Sequence, residues 1–161
     1  MGRRFSMQVR DAIRMADSMM PRSGDVEDLL TNMSQTRDRR ISILIASLAS
    51  PLSGLLISTG KADYVVVGDE ASPERQVAIV CHEVAHLLLG HDDNRSLSSG
   101  LIESGLLQGL NPDLVRSVVA GRHAYAHTTE LDAETVATHI SIQLRRRVMR
   151  GGHTYYDELW W

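Results

Sequence analysis

The 161-residue chain predicts an α+β fold: a small, mostly antiparallel three-stranded sheet packed on one apolar helix, with additional helices around it. Three observations point there. Residues 41–67 hold three short runs rich in branched apolar residues, at 41–45, 55–58 and 64–67. Directly behind them, Ser72-Pro73-Glu74 opens an apolar stretch that ends at Leu89-Gly90. An N-cap, a first-turn proline, an acid at the positive end of the dipole and a C′ glycine outline a helix of about 17 residues. The flanking segments carry apolar residues at helical spacing.

Taken in order, residues 3–19 form an amphipathic helix bearing Phe5, Val9, Ile13 and Met15, broken at Pro21-Arg22-Ser23-Gly24. A second helix over 25–36 buries Val26, Leu29, Leu30 and Met33, and Arg37 to Arg40 read as its solvated basic end. The strands follow, with a loop between Pro51 and Gly54 and a hairpin-like connection at Gly60-Lys61-Ala62-Asp63. Beyond the capped helix, a polar turn at 91–94 leads to helices over 95–108 and 111–121. A last long helix over 129–149 uses Leu131, Ala133, Val136, Ala137, Ile140 and Leu144 as its core face and ends at Gly151-Gly152. Residues 1–150 read as one domain, and 151–161 as a tail carrying Tyr155, Tyr156, Trp160 and Trp161.

Bulk properties exclude several classes. A net charge of −3 with 23% charged residues speaks against direct nucleic-acid binding. One cysteine, Cys81, allows no internal disulfide and fits a reducing compartment. Arg3 and Arg4 precede no apolar leader segment, and no run of about 18 apolar residues exists, so the expected location is cytoplasmic and not membrane-bound.

Chemistry concentrates in His82-Glu83-Val84-Ala85-His86. Four residues turn a helix by about 400°, so the two imidazoles share a face. Imidazole pairs suit Zn²⁺, and Glu83, about 100° round the helix, stands where it can take a proton from an activated water. This is the H-E-x-x-H pattern of zinc peptidases. His91 does not match the metzincin spacing and is read as a cap or orienting group. Cys81 is read as a core residue, and as the only cysteine it cannot furnish a deaminase site.

A catalytic zinc takes a third protein ligand. Glu130 and Glu134 are four apart and share a face at the start of the last helix. One can bind the ion while the other accepts the outward N–H of a ligating imidazole. Beside the motif, Glu130 is the favoured ligand. His123, Tyr125 and His127 are candidate donors to a developing oxyanion.

The run from Arg75 to His91 resembles the active-site helix of the ImmA/IrrE family of zinc metallopeptidases, and Glu130-Leu131-Asp132-Ala133-Glu134 resembles that family's acidic-alanine-acidic signature. Ala85 stands where that family commonly has glycine, Val136 where phenylalanine is usual, and Glu134 where Asp or Asn is usual. The resemblance implies a minimal gluzincin-like domain, with His82, His86 and Glu130 as zinc ligands, Glu83 as general base and Glu134 behind a ligand. It also implies a protein substrate: a separate helix-turn-helix repressor, cleaved to relieve repression of stress or mobile-element genes. The rival expectation is a non-catalytic regulatory or toxin–antitoxin partner that binds a regulator through a vestigial or structural zinc site.

Overall fold

A computed structural model describes residues 6–48, 53–58, 62–91 and 127–157, with side chains in the last group from Thr128 to Gly151. The elements are α1 (Met7–Met19), α2 (Val26–Arg37), β1 (Arg40–Ala46), β2 (Gly54–Ser58), β3 (Ala62–Gly68), α3 (Pro73–Leu88) and α4 (His127–Asp157). The chain is α+β, as the sequence predicts. The expected helices over 95–108 and 111–121, the turn at 92–94 and the tail beyond Asp157 lie outside the described residues.

The sheet is mixed rather than mostly antiparallel. Its order is β1-β3-β2, with β1 parallel and β2 antiparallel to β3. β3 suits the central place, with Val65, Val66 and Val67 all fully buried, although Leu55, Leu56 and Ile57 of β2 are buried as well. A strand apolar on both faces belongs in the centre of a sheet. Chain order alone would have put β2 there. Ala62 and Asp63, expected in the hairpin connection, are the first residues of β3.

Helix α3 lies against β2 and β3 on one side and along α4 on the other, while α1 crosses α4 and α2 covers β1. The buried stripe of α1 is Val9, Ala12, Ala16 and Met19, and Met15 is exposed, contrary to expectation. Small alanines let α1 approach its neighbours closely. On α4 the core face is Ala133, Val136, Ala137, Ile140 and Leu144, whereas Leu131 is exposed. This helix runs through Gly151-Gly152 to Asp157. Two helical glycines weaken a helix by about 1 kcal/mol each, which hinders it without terminating it.

Arg39 is not part of a solvated helix end. It reaches back to Asp63, whose side chain is 0% exposed, donating from Nε to Oδ2 at 2.9 Å and from Nη2 to Oδ1 at 3.0 Å. Arg37 Nη2 stands 3.9 Å from the same carboxylate. The basic cluster thus clamps the start of β3 to the end of α2. Among the described residues, no helix is long and apolar enough to cross a membrane.

Candidate metal centre

Helix α3 starts and stops as its sequence requires. Ser72 Oγ accepts from Arg75 N–H, Pro73 occupies the first turn, and Gly90 takes the left-handed conformation with φ +71°. Gly90 N–H donates to Leu87 O at 3.1 Å and His91 N–H to His86 O at 2.9 Å, the paired bonds of a Schellman ending. That ending turns His91 back over the helix. Its Nδ1 comes to 2.9 Å from Nδ1 of His86.

Inside this helix His86 and Glu83 are buried, at 1% and 5% exposure, while His82 is partly open. The two Nε2 atoms are 3.2 Å apart. Imidazole nitrogens that close either share a proton or flank a cation. Glu130, from the first turn of α4, closes the triangle: its Oε2 is 3.3 Å from His82 Nε2 and its Oε1 is 3.5 Å from His86 Nε2. Donors about 2.0–2.1 Å from a tetrahedral ion lie about 3.3–3.4 Å from one another; here each imidazole nitrogen meets a different oxygen of Glu130, and one donor atom from each of the three residues lies within 4.8 Å of the others. Two imidazole nitrogens and a carboxylate are also a donor set that Zn²⁺ accepts. Among the described residues this is the group of three that could hold a metal.

The outward nitrogens have partners as well. His82 Nδ1 faces Glu134 Oε2 at 3.4 Å, and His86 Nδ1 faces His91. Each contact holds its ring with Nε2 turned toward the centre. The structure therefore brings together His82, His86, Glu130 and Glu134, with Glu83 buried on the same helix as the two histidines. His123 and Tyr125 lie outside the described residues, and of His127 the backbone alone, at the start of α4, is described. Cys81 is fully buried; burial pushes its thiol up and a hydrogen bond with Ser141 pulls the other way. It is a core residue.

Gly54 at the start of β2 was read from sequence as a loop boundary, and no local signal ties it to the motif. In space it packs against α3: a Cβ there would overlap Ile79 Cγ2 and lie 3.4 Å from Glu83 Oε1. Gly54→Ala is expected to cost about 1–3 kcal/mol through overpacking, read as a lower urea midpoint.

Compared with protein-family models, curated proteins and solved structures, the chain finds no match.

Proposed function

We propose that the protein is a zinc-dependent metalloendopeptidase of the ImmA/IrrE kind, with a minimal gluzincin-like fold. The observation that carries this reading is the convergence of His82 Nε2, His86 Nε2 and the Glu130 carboxylate, on a helix that also carries the buried carboxylate of Glu83. Zn²⁺ held by those three residues would polarise a scissile carbonyl and lower the pKa of a water to about 7.

The chain's own residues do the remaining work. Glu83 is the one buried carboxylate of α3, and it accepts the water's proton and returns it to the leaving amine. Glu134 and His91 fix the ring orientations of His82 and His86. Glu134 is well exposed, so its contribution sits at the low end for such a contact. Glu134→Gln is expected to weaken zinc binding about tenfold, measured by competition with a chromogenic chelator.

The partner class rests on the resemblance of the two signatures: a helix-turn-helix repressor, encoded nearby, whose cleavage relieves repression. Incubating the zinc-loaded chain with such a repressor is expected to give one discrete cut that a chelator blocks. An intact repressor under those conditions contradicts the assignment.

A further inference from the structure

From His82 and Glu134 a groove of about 730 Å³ continues along the seam between α3 and α4. Its far part is lined by Arg75 of α3 and by Arg145 and Arg146 of α4, with Ile79, Ile142 and Met149 as apolar wall. All three arginines are exposed, and among the described residues none of their guanidinium groups is paired with a carboxylate. Glu134, at the opposite end, is the single carboxylate among the described residues of the lining. The groove thus runs from a candidate metal centre to a local positive pole on a chain whose net charge is −3.

We propose that this groove selects protein substrates bearing an acidic side chain about three to five residues from the bond that is cut. This rests on the peptidase reading above. Arg75 lies two helical turns before His82, about 10 Å along α3, and Arg145 about 16 Å beyond Glu134 along α4. An extended peptide covers about 3.3 Å per residue, which sets the spacing. Unpaired guanidinium groups on facing walls recognise carboxylates, and the apolar residues between them accommodate the intervening side chains. A groove between two helices that abuts a hydrolytic centre favours a peptide over a nucleic acid, whose phosphates would also meet Glu134.

The test measures binding apart from turnover. Fluorescence anisotropy is recorded on the full-length Glu83→Gln chain with zinc, using a labelled peptide of alanine, leucine and serine that carries adjacent glutamates, and the same peptide with glutamines. The glutamate peptide is expected to bind about tenfold more tightly at low salt, and the advantage to shrink as salt rises. Arg145→Glu with Arg146→Glu removes the advantage, and Arg75→Glu on the opposite wall reduces it independently. Circular dichroism checks that these surface variants keep the fold. Equal binding of the two peptides, or an advantage that survives the paired reversal, overturns the proposal. So does tighter binding of a DNA oligonucleotide that the same reversal abolishes. The two readings fail separately: an acidic preference without cleavage by the wild-type chain upholds the recognition and sinks the peptidase.

Discussion

Glu83→Gln is expected to lower peptide hydrolysis by about 10³-fold while zinc still binds at one equivalent. The amide keeps the side chain's shape over Gly54 but cannot accept the water's proton. Positioned general bases contribute about 10²–10⁴-fold, and 10³-fold corresponds to about 4 kcal/mol of transition-state stabilisation. The measurement is kcat/KM for a defined cut, paired with elemental analysis of the same preparation. Hydrolysis that persists at the wild-type rate removes Glu83 from the mechanism. Regulation of a partner that persists without hydrolysis favours the non-catalytic reading instead.

Arg39→Met is expected to destabilise the fold by about 3 kcal/mol. Asp63 is wholly buried, and Arg39 provides its two short charge-assisted hydrogen bonds. Removing one member of a buried pair leaves an uncompensated charge, which costs about 3–5 kcal/mol. Arg37, 3.9 Å away, offsets part of this and places the effect at the lower end. Adding Asp63→Asn to Arg39→Met is expected to restore part of the loss, because the orphaned charge is then gone. Urea unfolding of the wild type, both single variants and the double variant measures the coupling. A coupling near zero would mean that Arg39 does not hold Asp63.

The candidate site was legible because its chemistry is local. His82 and His86 share a face by helical spacing, and Ser72, Pro73 and Gly90 mark where that helix begins and ends. Glu130 could be nominated from its own helix start, although only the fold puts its carboxylate within 3.3 and 3.5 Å of the rings. What escaped sequence reading depends on partners far along the chain. Arg39 pairs with Asp63 across 24 residues, and a basic run looks the same on paper whether it is solvated or clamps a buried acid. Strand order escaped for the same reason: β2 and β3 are both apolar and buried, and β3 is central because β1 pairs with it, across an intervening strand, rather than with β2. Met15 and Leu131 are apolar yet exposed, whereas α1 buries Ala12 and Ala16 with Val9 and Met19, and α4 buries the expected Ala133, Val136, Ala137, Ile140 and Leu144. Position on the helix face, rather than hydrophobicity alone, decides which of these side chains is buried.

The central claim is one divalent ion shared by α3 and α4, and equilibrium dialysis against Zn²⁺ followed by elemental analysis tests it most directly. One zinc per chain is expected for the wild type and a clear loss of it in His86→Ala and in Glu130→Ala, with both variants still folded by circular dichroism. A wild-type chain that takes up no zinc, or a Glu130→Ala chain that holds it as tightly as before, would contradict it.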